Sequence, residues 1–191
     1  MMEYKEKLES QIKEQYGKLV YSYTCHWEEV AILKKTRGRV KWIDIILTAV
    51  SATGMVSFFI FDSKCLAAIG AVFSALSLAI TLFSKEYNVD EKIISHQKSA
   101  DDLWIVREKY ISLLTDMGQI STDEICKRRD ELMEESAAIY KAALPTSAKA
   151  YERAQNKIKN EEYQFFTEDE LDKMMPNHLR KQEGDAHERD K

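Results

Sequence analysis

Apolar residues are distributed along this chain in two ways. Between residues 42 and 83 they run almost unbroken, and on either side they recur every three or four positions. The first unbroken run, Trp42 to Phe61, has Asp44 as its only charge, and the second, Cys65 to Phe83, has none. Each has about the ~20 residues that a helix needs to cross a hydrocarbon layer ~30 Å thick. Only Asp62, Ser63 and Lys64 separate them, so the two segments must be antiparallel neighbours joined by a tight turn. A buried hairpin in a soluble bundle would show a charged stripe on each helix, and neither run has one. A signal peptide is not expected either, because the first run starts some forty residues in, after a long helical segment.

Outside the runs the period is helical. Leu8, Ile12, Tyr16, Leu19, Tyr23, Trp27, Val30 and Ala31 form one stripe of a helix expected from about Glu3 toward Arg37, with Gly38 marking a bend. After the second run, Ile93, Ile94, Ala100, Leu103, Trp104, Tyr110, Ile111, Leu114 and Met117 keep the same spacing up to Gly118. Ser121 with Glu124 opens a further helix carrying Ile125, Leu132, Ala138 and Ile139, which should stop before Pro145. Another is expected over about 146–160. A short one, capped by Thr167 with Glu170, is expected to end at Pro176.

The fold class is therefore all-α: an integral membrane protein whose two-helix transmembrane hairpin continues into a cytoplasmic helical bundle. Four regions follow. Residues 1–41 are a cytoplasmic amphipathic helix with a basic juxtamembrane segment, and 42–84 the hairpin, with spans of about 42–61 and 65–83. Residues 85–176 are a cytoplasmic helical region, and 177–191 a polar tail expected to be disordered. The amphipathic N-terminal helix should pack against the helix leaving the second span. No repeat of 20 to 50 residues is present. Gly (6) and Pro (2) are too scarce for the turns that sheets need.

The net charge of -4 conceals an asymmetry: residues 1–41 hold nine Lys/Arg against six Asp/Glu, and residues 85–191 hold eighteen against twenty-four. Lys34, Lys35, Arg37, Arg39 and Lys41 precede the first span and Lys85 follows the second, against Lys64 alone in the turn. The positive-inside rule then puts both termini in the cytoplasm, with the five basic residues facing anionic headgroups and Trp42 at headgroup depth. Three cysteines at wide spacing give neither a disulfide framework nor a zinc site.

The spans contain the candidate chemistry. Gly70, Ser74, Ser77 and Thr81 fall within about 60° of one another on a helical wheel, flanked by Ala71, Ala75 and Ala79. Asp44, Thr48 and Ser51 share a face of the first span. Such a stripe packs helices closely, or lines a water-filled path once several copies assemble, since two helices cannot enclose a pore. Asp44 is costly in a membrane and so a functional candidate, although near a helix end it can reach the interface or pair with Lys41. Lys127, Arg128 and Arg129 could meet an anionic nucleotide, or be a solvated face balanced by Asp123, Glu124, Asp130 and Glu131. No phosphate-cradling glycine loop, nucleophile elbow, paired-histidine metal motif or CxxC occurs. The four histidines are scattered, and no catalytic residue, metal or cofactor is expected.

The amphipathic helix ending in KKTRGRVKW, the two-span hairpin, the long polar helix and the closing stretch LPTSAKAYERAQNKIKNEEYQFFTEDELDKMMPNHLRK together resemble the SLATT family, the SMODS- and SLOG-associating two-transmembrane effectors. The resemblance covers about residues 8–181. It implies a bacterial anti-phage effector in the inner (cell) membrane, controlled by a cyclic nucleotide or oligonucleotide second messenger from a neighbouring nucleotidyltransferase. It implies no catalytic residues, and no nucleic acid duplex is expected as a partner. The leading expectation is an oligomer that forms a pore or otherwise permeabilises the membrane. The alternative is a non-conducting two-span anchor that recruits a soluble partner through its cytoplasmic helices.

Overall fold

The computed structural model describes residues 2–61, 64–161 and 166–176, and every regular element among them is a helix. These are α1 (Met2–Phe61), α2 (Lys64–Tyr87), α3 (Val89–Asp116), α4 (Thr122–Ala142), α5 (Ala148–Asn160) and α6 (Glu168–Met174). Asp62 and Ser63 of the expected turn, and the tail expected over 177–191, lie outside the described residues.

The first helix is 60 residues long and passes through Gly38 without a break, so the bend suggested by the sequence does not end the helix. One interior glycine costs roughly 1 kcal/mol relative to alanine, too little to interrupt a helix whose propagation on both sides is favourable. The break that does occur lies at Asn88, between α2 and α3, with φ 51° and ψ 46°. Asparagine is one of the few residues that tolerates this left-handed conformation. Ser121 caps α4 by accepting from the Glu124 N–H at 3.2 Å, while the Glu124 carboxylate turns to Arg128.

The core forms where α1 lies along α3, with α4 packed on α3. Leu8, Ile12, Leu19, Tyr23 and Val30 of α1 meet Ile93, Ala100, Leu103, Val106, Tyr110 and Leu113 of α3 in this buried layer, which Ile125 of α4 joins. Ala31 and Ala138, assigned by periodicity to the apolar stripes, are exposed. Midway along α1 the enclosure is nearly complete, with residues 23–26 and 28–30 all buried. The reason is that α4 and α5 also reach this part of α1: Tyr140 donates to Ser22 at 3.2 Å, and the rings of Tyr21 and Tyr151 stack with centroids 6.2 Å apart. Glu29 anchors the start of α5 by accepting from both the backbone N–H and the hydroxyl of Ser147, at 2.8 and 2.6 Å. Arg107 is buried in α3, its guanidinium 4.3 Å from the Trp104 ring centroid and ion-paired with Glu108 at 2.6 Å.

The last third of α1 and all of α2 form a separate apolar hairpin. Among the described residues, one helical stretch, Lys64–Asp116, contains a segment long and apolar enough to cross a membrane, and almost none of that segment is buried. Along α1 from Trp42 onward, Trp42, Ile43, Ile45, Ile46, Met55 and Val56 are likewise exposed. The chain divides into two compact units, Met1–Gln155 and Asn156–Lys191. Within the second, α6 begins with a reciprocal capping box in which Thr167 and Glu170 bond each other's backbone N–H groups.

Candidate functional site

The backbones of the hairpin helices come into direct contact at Gly54 of α1 and Gly70 of α2. A Cβ added to Gly54 would stand 2.8 Å from the Gly70 Cα and 2.8 Å from the Leu66 carbonyl oxygen. Only hydrogen side chains permit this contact, and it fixes which faces of α1 and α2 meet. Gly70 is legible in the sequence as one end of the small-residue stripe. Gly54 is not, because its value depends on what lies opposite.

From that contact toward the start of α2's last turns, the two polar stripes come together as one seam. Ser77 donates to the Asp44 carboxylate at 2.5 Å, and Thr48 lies 3.2 Å from Ser77. A hydroxyl has one hydrogen to give, so with Ser77 donating to Asp44, the proton between Thr48 and Ser77 comes from Thr48. Asp44 thus pairs with a hydroxyl on α2, not with Lys41 as its i-3 position suggests. Thr48, Ser51, Ser74, Ser77 and Thr81 also line one groove of about 250 Å³ on the hairpin surface. Thr48, Ser74 and Thr81 are exposed, and Ser51, Ser77 and Asp44 half-buried.

At the end nearest the bundle the seam meets a larger cleft of about 710 Å³, to which Asp44 and Thr81 also contribute. Arg37 and Lys41 of α1 and Lys85 of α2 bring positive charge to it, and Asp90 of α3 negative charge. Arg37 is ion-paired with Asp90 across the α1–α3 contact. Lys34, Lys35 and Arg39 are exposed on the same stretch of α1. The cluster of Lys127, Arg128 and Arg129 sits near the start of α4, where Arg128 bonds Glu124 and Arg129 bonds Asp130 and Gln11.

A second feature escapes the sequence altogether. His26 of α1 and His96 of α3 are both buried, with their Nδ1 atoms 2.9 Å apart. Burial, then the neighbouring His96, pushes His26 down to about 4, against an opposing pull from Glu29. His96 is lowered as well, again by burial. Beside them burial and the Glu28 and Glu29 carboxylates push the Cys25 thiol up to about 11, which makes it unreactive. The two histidines are 70 positions apart with no local motif, and only the α1–α3 pairing brings them together.

Fold and site thus define a class: an all-helical protein in which an exposed apolar hairpin with a polar seam grows directly out of a packed helical bundle. More particularly, the chain belongs to the SMODS and SLOG-associating 2TM effector domain family 4, whose pattern matches residues 8–170. It is a SLATT protein, of a two-transmembrane effector family associated with SMODS, a nucleotidyltransferase-type component, and SLOG defence systems. No curated protein and no solved structure matches the chain.

Proposed function

We propose that this chain is the membrane effector of a bacterial nucleotide-second-messenger anti-phage system, crossing the inner membrane twice with both termini cytoplasmic and permeabilising it as a homo-oligomer. The observation that carries this reading is the seam: hydroxyls of Thr48, Ser74 and Thr81 stand exposed on a hairpin whose other faces are apolar. Thr48 is met by Ser77 within the hairpin, but facing hydrocarbon the Ser74 and Thr81 hydroxyls would lack partners at a cost of roughly 1 to 3 kcal/mol each. Copies packed seam to seam remove that cost in a closed state, and water removes it in an open one. The role is non-enzymatic. A second messenger from the associated nucleotidyltransferase shifts the balance between the two states, to the extent that its affinity differs between them.

The bundle couples to the seam through few connections. Arg37 and Asp90 link α1 to α3 beside Asn88, where α2 gives way to α3, and the cleft that ends the seam lies at this junction. A change of α1–α3 packing therefore reaches Asp44 and Thr81 first. Lys127, Arg128 and Arg129 are the proposed, weaker site for the nucleotide itself.

One observation favours the second reading, a non-conducting anchor that recruits a soluble partner. Ser77 and Asp44 satisfy each other within a single hairpin, as static packing would have it. The deciding experiment is ion flux and dye leakage from liposomes containing the purified protein, with a panel of cyclic nucleotides. Ser74→Leu is compared with Val72→Leu on the exposed apolar face. The proposed function requires Ser74→Leu to lower flux at least tenfold while Val72→Leu retains it. Equal flux from both, or no flux under any condition from correctly inserted protein, would leave the anchor.

A further inference from the structure

We infer that the cleft at the junction of hairpin and bundle is a binding site for one anionic phospholipid, with the phosphodiester held by Lys41 and Lys85 and an acyl chain running along α2. This rests on the reading of the hairpin as membrane-embedded. The charges that line the cleft are Arg37, Lys41 and Lys85 against Asp44 and Asp90. Two of the five are committed to each other, Arg37 to Asp90, and Asp44 accepts from Ser77. Lys41 and Lys85 make no ion pair among the described residues, so two lysines from different helices line one cleft in which Asp44, held by Ser77, is the carboxylate not already paired with Arg37.

The remaining walls are apolar. Val40, Ile80 and Phe83 line the cleft, and Phe83 is 68% exposed and continuous with Leu82 at 58% on the outer face of α2. A ligand suited to this surface combines a single negative charge with hydrocarbon. The local balance of three cations against two carboxylates sums to +1, which matches a phosphodiester and disfavours a polyphosphate. A soluble phosphate without a chain would leave the apolar wall wet. The level also fits, because Lys41 and Lys85 flank the two spans at the depth where headgroups lie.

The test is native mass spectrometry of the full chain released from membranes of phosphatidylcholine with a minor fraction of phosphatidylglycerol. Carbonate extraction establishes integration beforehand. The chain should keep about tenfold more phosphatidylglycerol than the bulk ratio, the order expected for two lysines near a headgroup. Lys41→Gln with Lys85→Gln should return the ratio to bulk. Lys34→Gln with Lys35→Gln, an equal charge change outside the cleft, should leave it enriched, and glycerol phosphate should not displace the lipid. Integration without enrichment, equal loss in both double variants, or displacement by glycerol phosphate would each overturn the lipid site alone. Failure to integrate would overturn it together with the membrane reading.

Discussion

Replacing Gly54 by alanine tests the hairpin contact directly. The new methyl would lie 2.8 Å from the Gly70 Cα and 2.8 Å from the Leu66 carbonyl oxygen, where carbon contacts normally sit at roughly 3.5 to 4.0 Å. Both neighbours are backbone, so relief requires the helices themselves to separate. Overpacking of this kind costs about 1 to 3 kcal/mol. Alanine returns roughly 0.5 to 1 kcal/mol through its better helix propensity. The net expectation is a loss of about 1 to 2 kcal/mol. Gly38→Ala isolates the propensity effect, because nothing lies within 4 Å of its added Cβ, and it should stabilise by about 0.5 to 1 kcal/mol. Gly70→Ala should fall between the two, its nearest contact being 3.1 Å to the Ser51 carbonyl oxygen. Unfolding in mixed micelles by rising SDS fraction, followed by circular dichroism, gives all three values. The reasoning is refuted if Gly54→Ala proves as stable as the parent, or if Gly38→Ala is the more damaging change.

The buried histidines make stability pH-dependent. His26 is held near 4 in the folded chain against an ordinary 6.5, so below pH 6.5 the unfolded state binds the proton first and stability falls as the pH drops. By pH ~4.5 the loss from His26 alone is about 2.5 kcal/mol, with His96 adding in the same direction. Above pH 7 the pair contributes no slope, and His26→Gln should flatten the difference between thermal unfolding at pH 7.5 and 4.5. An unchanged slope would rule the pair out as its cause. Ser147→Ala removes the hydroxyl hydrogen bond to the buried Glu29 carboxylate and the Ser147 Oγ contact to the Ala150 N–H at 3.2 Å. The backbone half of the Glu29 contact can persist, so the expected cost is about 1 to 2 kcal/mol in the same unfolding assay. A loss below the error of the measurement would show that α5 does not depend on this anchor.

Helix identity and most helix ends are legible in the sequence because the signals are local. Gly118, Pro145 and the Ser121 and Thr167 caps each act within a few residues, and the structure ends or starts helices beside them. The apolar stripes place Ile12, Leu19, Leu103 and Ile125 in the core for the same reason. What the sequence conceals depends on pairing between distant segments. Gly38 looks like a hinge only until the strength of the flanking helix is weighed, and Asn88, a single left-handed residue, breaks the helix with no glycine or proline to announce it. Asp44 has Lys41 three positions away in sequence, yet its hydroxyl partner is Ser77, 33 positions away. The two polar stripes were each visible on their own wheel. That they share a groove follows from the Gly54–Gly70 contact, which no single-helix argument contains.

The proposed function requires the hairpin to lie in lipid with its turn on the far side of the membrane, and the chain's own cysteines report on this. Cys65 is exposed one residue into α2, Cys126 is half-buried on α4, and Cys25 is buried with its thiol pushed up to about 11. In intact spheroplasts, a membrane-impermeant maleimide should label Cys65, while Cys126 reacts only after permeabilisation. Labelling of Cys65 only once the membrane is breached, alongside Cys126, would mean that the hairpin does not cross.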